Sequence, residues 1–256
     1  MHYAQKDNGI YILSRNDMED IATEKLKEFS PINLERPMPL KTTQFLEDYL
    51  GLITKNKYIC DFDSGILGLT VMGDFALIPT YDECFEREVI EATFGTVLIT
   101  PQLSMKDQLP RRRYTEMHEA SHFMLHQPYF KKREATVAPR TEYPCPIIAC
   151  RKIESNFNQN KTDGDWIEYQ ADALSAALLM PKNVFTEYVK SLMRKYDIRG
   201  ICMLEDSYTD RAKIYSIIDD AAEIFLVSHQ AVKIRMKHLG LLRKSNTQCC
   251  SLFSIR

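Results

Sequence analysis

Two histidines four residues apart, with a glutamate beside the first, are the residues of this sequence whose types and spacing could do chemistry. The stretch Arg111 to Gln127 carries His118, Glu119 and His122 in the order HExxH. On an α-helix, side chains four apart lie on the same face, so the two imidazoles converge on one point. This is the spacing by which two histidines hold a zinc ion while the glutamate takes a proton from the attacking water. The alternative is an amphipathic core helix whose histidines are satisfied by hydrogen bonds.

A third protein ligand is needed for a catalytic zinc site, together with an open position for water. The segment Trp166–Met180 is rich in Ala and Leu with a helical period and is followed by Pro181. Within it, Glu168 and Asp172 are four apart and share a face. Glu168 is therefore the predicted third ligand, and Asp172 can accept the outer N–H of a ligating histidine and fix its tautomer. HExxH followed by ExxxD is the arrangement of gluzincins.

The same residues allow two alternatives to a zinc site on His118, His122 and Glu168. A metzincin site would need a histidine six residues after His122, and that position is Pro128, which excludes it. Asp165 and Glu168 have the spacing of a capping box, in which Glu168 would only bond the start of its own helix. Together with the HExxH motif, the ligand role is favoured for Glu168.

Helices and short strands must position these side chains. Acidic residues from Asp17 to Asp20 predict the start of a first helix, and Thr42–Leu50 is predicted to be a second, closed by Gly51. Strands are predicted over four segments separated by turn residues: Leu52–Cys60, Ile66–Met72, Phe75–Pro79 and Thr96–Thr100. Thr96–Thr100 is the candidate for a sheet edge that pairs with an extended substrate, although an internal strand fits it equally well.

Prolines predict where the HExxH helix begins and ends, with Pro110 just before it and Pro128 just after it. Residues 129–165 are polar and irregular and predict a long loop over the site. The expected fold class is α+β, with a small twisted β-sheet packed on a zincin-like HExxH helix and the Glu-ligand helix. Residues 1–182 are predicted to form the zincin-like metallopeptidase domain, and an all-helical part follows over 183–256.

The C-terminal part contains a segment, about 219–240, with the proportions of a helix-turn-helix, in which Ser228 is the N-cap and Gly240 ends the second helix. Further helices are expected over Asn183–Arg194 and Thr209–Ile217. If the segment read DNA, Gln230, Lys233 and Lys237 would face a groove. We favour instead a helical pair packed on the core with a solvated basic face, because a groove reader usually presents a larger basic surface.

Composition indicates an ordinary globular protein. The chain has 256 residues and a net charge of −2, so its overall charge gives no reason to expect nucleic acid or a membrane surface. We expect a cytoplasmic protein with reduced thiols, because no signal-like segment opens the sequence and its cysteines are scattered without any CxxC.

The motifs together resemble those of the ImmA/IrrE metallopeptidases, and the resemblance covers nearly the whole chain. Members look like "R-[FY]-T-x-x-H-E-x-x-H…LH", "E-x-x-A-[ND]…A-x-LLMP" and a C-terminal "FxVSxxAVxxRLxxLGL". The matching segments here are Arg113 to His122 with Leu125-His126, Glu168 to Pro181, and Phe225 to Leu241. Ser121 stands where the family usually has glycine; it is small and should fit where helices pack closely.

The resemblance implies a cytoplasmic zinc endopeptidase with one Zn²⁺ on His118, His122 and Glu168, and with Glu119 as general base. It implies a helix-turn-helix repressor or antitoxin as the protein substrate, whose cleavage derepresses stress or mobile-element genes. Candidates for oxyanion or substrate contacts are the nearest polar rings: Tyr114, Tyr169 and His126. For His126 a purely structural role is the favoured alternative. The competing function is a non-catalytic regulator that binds DNA or a partner protein through the C-terminal helices.

Overall fold

Helices and β-sheets are mixed in an α+β arrangement in the computed structural model, which describes residues 3–60, 65–134, 147–151 and 162–244. The helices are α1 Arg15–Phe29, α2 Thr42–Gln44, α3 Leu109–Glu134, α4 Asp163–Leu179, α5 Lys182–Lys195, α6 Arg211–Phe225 and α7 His229–His238. The strands are β1 Ile53–Asn56, β2 Tyr58–Ile59, β3 Ile66–Val71, β4 Phe75–Tyr81, β5 Arg87–Thr93, β6 Thr96–Ile99, β7 Ile147–Arg151, β8 Met203–Leu204 and β9 Leu242–Arg243.

Two sheets pack against each other next to α3. One has the strand order β1-β6-β3-β7, with β1 parallel to β6 and the other pairs antiparallel. The second is antiparallel with the order β2-β4-β5. Because successive strand residues point to opposite faces, Leu69 and Leu98 enter the core between the sheets while Thr70 and Val97 face the helices. The four-stranded sheet is thus covered on both faces.

The predicted strands occur, but the segment 52–60 divides into β1 and β2, which join different sheets, and β5 was not predicted at all. Of the two alternatives for Thr96–Thr100, the internal strand is confirmed: β6 lies between β1 and β3, is paired on both sides, and has every residue buried. Within the described part of the chain, β7 follows β3 at one side of this sheet. The C-terminal part is not all-helical as predicted, because β8 and β9 form a short parallel pair in it.

The HExxH helix does not stop at Pro128, contrary to the prediction, but runs to Glu134. Proline removes one backbone hydrogen bond and destabilises a helix interior by about 3 kcal/mol. Burial of Phe130, which packs with Met72 just beyond the proline, offsets this loss. The backbone carbonyl of Pro128 also lies against Gly9, where a Cβ would come within 2.7 Å of its oxygen.

The predicted loop over residues 129–165 is partly structured, because α3 extends into it and β7 pairs with β3 within it. Residues 135–146 and 152–161 of that prediction lie outside the described residues, as do residues 245–256 of the predicted C-terminal region. The first predicted helix is confirmed as α1, which begins at Arg15, two residues before Asp17, because Ser14 and Asp17 form a capping box.

The C-terminal helices pack on the same core as the helices that carry the predicted ligands. One continuous cluster of buried apolar side chains runs from Leu13 to Leu242 and includes members of α1, α3, α4, α5, α6 and α7. The helix-turn-helix-like pair is α6 and α7, joined at Leu226 in a left-handed conformation, with Ser228 capping α7 through the N–H of Ala231. Among the described residues, no helix is both long enough and apolar enough to cross a bilayer.

Arg235 of α7 is the strongest polar tie between this pair and the remainder of the core. Its Nη atoms donate to both carboxylate oxygens of Glu19 in α1 at 2.6 and 2.8 Å, and its Nε and Nη2 donate to the backbone carbonyl of Met180 at 3.1 and 2.9 Å. The guanidinium is almost completely buried. A bidentate pair of this kind fixes orientation as well as distance.

Replacing Arg235 with Met should lower the free energy of unfolding by about 3–5 kcal/mol, because it leaves a carboxylate and a carbonyl unpartnered in the interior. Urea unfolding followed by circular dichroism measures this change. As a control, Lys190→Met removes the exposed Lys190–Glu187 pair and should change stability by less than about 1 kcal/mol. If both substitutions changed the free energy of unfolding by the same amount, the contacts of Arg235 would not be the strong buried tie described above.

Candidate metal centre

His118, His122 and Glu168 are brought together by α3 and α4, as the spacing predicted. One ligand atom from each lies within 4.8 Å of the others, a group that could hold a metal ion. The Nε2 atoms of the two histidines are 2.9 Å apart, and the Glu168 carboxylate oxygens lie 3.1 Å from His118 Nε2 and 3.6 Å from His122 Nε2. Both imidazoles are buried, whereas the Glu168 side chain is 25% exposed, so the group opens to solvent on the carboxylate side.

Glu168 is available for this role because another residue caps its helix. Thr162 is the N-cap of α4, its hydroxyl accepts the N–H of Asp165, and the Asp165 carboxylate accepts the N–H of Thr162 at 2.7 Å. The capping box therefore uses Asp165 as its carboxylate partner, and the alternative in which Glu168 only bonds its own helix start does not occur. One turn further on, Glu168 points at the histidines.

A close contact of small residues lets α3 and α4 approach each other at the site. Ser121 is buried, its hydroxyl lies 3.1 Å from that of Ser175, and it also bonds the carbonyl of Met117. The expectation that Ser121 fits where helices pack closely is confirmed. A larger residue here would push the carboxylate helix away from the histidine helix.

Asp172 contacts the outer nitrogen of His118, as the spacing of Glu168 and Asp172 predicted. Its Oδ1 lies 3.0 Å from His118 Nδ1 and accepts a hydrogen bond from the Tyr114 hydroxyl at 2.9 Å. Because a carboxylate only accepts, the proton of His118 is held on Nδ1 and the Nε2 lone pair is directed into the group. Tyr114 is thus bound to the carboxylate that orients His118.

His126 lies behind His122 and does not face solvent. Its Nδ1 is 3.0 Å from His122 Nδ1, its Nε2 is 3.1 Å from Gln170 Oε1, and its side chain is 0% exposed. With both ring nitrogens engaged in the interior, it cannot contact a substrate, so that candidate role is corrected to the structural one. Gln170 was not predicted as a site residue, because a single glutamine in an Ala-rich and Leu-rich helix carries no motif.

Strand β3 holds Glu119 in place. Thr70 donates its hydroxyl hydrogen to Glu119 Oε2 at 2.5 Å, while Glu119 Oε1 is buried and has no hydrogen-bond partner among the residues that the structure describes. Gly68 lies against that oxygen, and a Cβ on it would come within 2.7 Å of both Oε1 and Thr115 Cγ2. The sequence did not predict the contacts of Thr70 and Gly68 with Glu119. The one signal for them was a glycine inside a strand, which often marks a close approach of another group to the backbone.

Burial sets the protonation of the group. It raises the pKa of Glu119 to about 7, against the opposing effects of His118 and Thr70. It lowers the pKa of His122 to about 4, assisted by the neighbouring His118, so this imidazole is neutral at pH 7. Burial raises the pKa of Glu168, but the two adjacent histidines lower it by more and bring that pKa well below its usual range. A neutral imidazole beside an ionised carboxylate is the donor set that a cation requires.

The remaining predicted site residues lie elsewhere. The Tyr169 hydroxyl accepts a hydrogen bond from Arg15 Nε at 3.1 Å, on the side of α4 that meets α1. Lys233 and Lys237 both pair with Glu205 at 2.7 Å, so this one carboxylate offsets part of their positive charge, and Gln230 is exposed at the start of α7.

No protein-family model matches the sequence, and no curated protein matches it. The function of this chain is therefore inferred from the geometry of the candidate metal centre.

Gly68→Ala should destabilise the protein by about 1–3 kcal/mol, because the added methyl group overlaps Glu119 and Thr115 and either β3 or the glutamate must move. Chemical denaturation gives the value. Gly164→Ala is the matched control: this glycine lies in the first turn of α4 with no atom closer than 3.6 Å to the added Cβ, and alanine there should be neutral or stabilising. A neutral Gly68→Ala would contradict the close contact.

Glu119→Gln should stabilise the metal-free protein at pH 8 more than at pH 5. Because the pKa of Glu119 is raised from 4.5 to about 7, the folded protein holds this proton more tightly than the unfolded chain does. The free energy of unfolding therefore falls as pH rises between those values, by up to about 3 kcal/mol. Gln removes that dependence. Unfolding in the presence of a chelator measures it, with Ser175→Ala as a non-titrating buried control; a pH-independent gain would contradict the pKa.

Proposed function

We propose that this chain is a zinc-dependent endopeptidase of the ImmA/IrrE type, acting in the cytoplasm on a helix-turn-helix repressor or antitoxin. The observation that carries the proposal is the convergence of His118, His122 and Glu168 with a buried Glu119 directly beside them. We further propose that α3, α4 and the four-stranded sheet have zincin-like packing. Supporting this, α3 packs on both α4 and β3.

The donor set fits zinc, since two imidazoles and one carboxylate form the three-ligand set of a catalytic site with one open position. When bound, zinc lowers the pKa of water at its open position to about 7 and polarises the scissile carbonyl. The ligand atoms face one another at 2.9 to 3.6 Å. A divalent ion at this point would relieve the repulsion between their lone pairs.

Glu119 is the proposed general base. Thr70 holds one carboxylate oxygen. The other, Oε1, accepts no hydrogen bond from the described part of the chain and would take the proton from the attacking water. As the water oxygen bonds to the carbonyl carbon and the C–N bond breaks, the same group would deliver the proton to the leaving nitrogen, which then departs as a neutral amine and not as an amide anion. A pKa raised to about 7 by burial suits both halves of this transfer near neutral pH.

His118 is held for its role by Asp172, with Tyr114 bound to the same carboxylate. Substrate would approach from the side of Glu168 and Asp172, since the Asp172 side chain is 54% exposed whereas the histidines and Glu119 are buried. Tyr114 is the predicted contact residue that remains nearest to this opening.

The non-catalytic alternative has less support. A binding-only protein has no need of Glu119 beside both histidines, and the two lysines proposed to face a DNA groove, Lys233 and Lys237, are both paired with Glu205. Because affinity for DNA derives largely from cations that neutralise phosphates, two lysines already paired within the chain contribute little.

The test combines zinc binding with cleavage of a helix-turn-helix repressor encoded beside the gene and co-expressed with it. The wild-type protein should bind one zinc ion per chain, and a chelator should abolish cleavage until zinc is restored. Glu119→Gln should keep the metal and lose about 10²–10⁴-fold in cleavage rate. Glu116→Gln is the matched control, because Glu116 is equally buried on the same helix but bonds Thr42 and Arg112 outside the site.

Retained cleavage in Glu119→Gln would remove the general-base role. Salt-sensitive DNA binding without cleavage of the repressor would favour the non-catalytic alternative.

A further inference from the structure

A chain of buried hydrogen bonds runs from His122 away from the candidate metal centre to the N-terminal segment. His122 Nδ1 lies 3.0 Å from His126 Nδ1, and His126 Nε2 lies 3.1 Å from Gln170 Oε1. The chain ends where Gln170 Nε2 donates to the backbone carbonyl of Tyr11 at 2.7 Å. Three segments distant in sequence thus meet behind one predicted ligand.

The direction of every bond in this chain follows from its last member. A backbone carbonyl can only accept, so the Gln170 amide must present its NH₂ group to Tyr11 and its oxygen to His126. His126 must then donate from Nε2, and as a neutral imidazole it accepts at Nδ1. His122 must therefore carry its proton on Nδ1, which leaves the lone pair on Nε2, the atom that faces His118 and Glu168.

Water does not reach these hydrogen bonds, so it cannot compensate for a change in their donor and acceptor directions. His122 and His126 are 0% exposed and Gln170 is 1% exposed, so a reversed amide or a flipped tautomer would leave two acceptors or two donors facing each other in a dry interior. Leaving such groups unpaired costs about 1–3 kcal/mol for each group. That cost favours the Nδ1–H tautomer of His122 over the tautomer whose Nδ1 lone pair would face that of His126.

We propose that His126 and Gln170 are positioning residues that hold His122 in the Nδ1–H tautomer and so direct its Nε2 lone pair at the metal. The inference rests on the proposed metal site and adds to it a second set of supporting residues. The two histidines are oriented by different devices: His118 by the half-exposed carboxylate of Asp172, and His122 by a neutral chain that ends on a backbone carbonyl. Outer partners of this kind tune metal affinity.

The tautomer can be read directly, without activity and without metal. Long-range ¹H–¹⁵N spectra of the full chain, labelled on histidine and treated with a chelator, distinguish Nδ1–H from Nε2–H imidazoles. Wild-type His122 should be an Nδ1–H tautomer, and in His126→Phe, which keeps the ring volume but removes the acceptor, the Nε2–H form should appear. An Nε2–H tautomer of His122 in the wild-type protein would overturn the proposal.

Metal affinity gives the second measurement, by calorimetric titration with Zn²⁺ alone. His126→Phe and Gln170→Leu should each weaken binding by about 10–100-fold. Ser175→Ala is the matched control, since Ser175 is also buried on α4 and also bonded across to α3, but outside the chain of bonds to His122. It should stay within about twofold of wild type.

The outcomes separate this inference from the proposed function. If wild type binds zinc and both variants bind it as tightly, the positioning role is wrong while the metal site stands. If Ser175→Ala weakens binding as much as they do, the effect is one of general packing and the positioning role is again wrong. If wild type binds no zinc, the metal site fails, and the wild-type spectrum still decides whether the chain of bonds sets the tautomer. The wild-type spectrum needs no variant, so it tests the tautomer of His122 even if a variant does not fold.

Discussion

Exclusion of water around the two histidines of α3 is the constraint on which the rest of the site depends. A buried imidazole must find a partner for each ring nitrogen, because an unpaired polar group in the interior is costly. Asp172 satisfies the outer nitrogen of His118 and His126 satisfies that of His122. The Nδ1 atoms of both histidines are thus hydrogen-bonded, and their Nε2 atoms face each other and Glu168. The partners of the Nδ1 atoms therefore determine which nitrogens form the candidate metal site.

The same exclusion of water explains why a sheet lies against the HExxH helix. Glu119 is buried beside its two histidines, and a carboxylate there needs a donor that the helix cannot supply. Thr70 of β3 supplies it, and the absence of a side chain at Gly68 leaves room for the other oxygen. Because strand residues alternate between faces, Thr70 and Gly68 reach the helix while Leu69 enters the core between the two sheets.

Local patterns predicted the ligands well, because HExxH and ExxxD are each contained in one helix, where spacing alone decides which side chains share a face. Contacts between segments were beyond such patterns: nothing in the sequence pairs Gln170 with Tyr11, or β3 with Glu119. The outcomes at Pro128 and β6 have the same origin. Pro128 is tolerated because Phe130 is buried beyond it, and β6 became internal because β1, which was predicted only as part of a longer strand, pairs along it.

The C-terminal helices belong to this same network of buried polar groups. Arg113, five residues before His118 on α3, donates to the carbonyl of Leu226 in the turn between α6 and α7, and Arg235 of α7 donates to the carbonyl of Met180 where α4 ends. Each helix of the candidate metal centre is therefore held by an arginine to the helix-turn-helix-like pair. Because the central arginine of α7 is buried against the end of α4, the inner face of this pair supports the candidate metal centre.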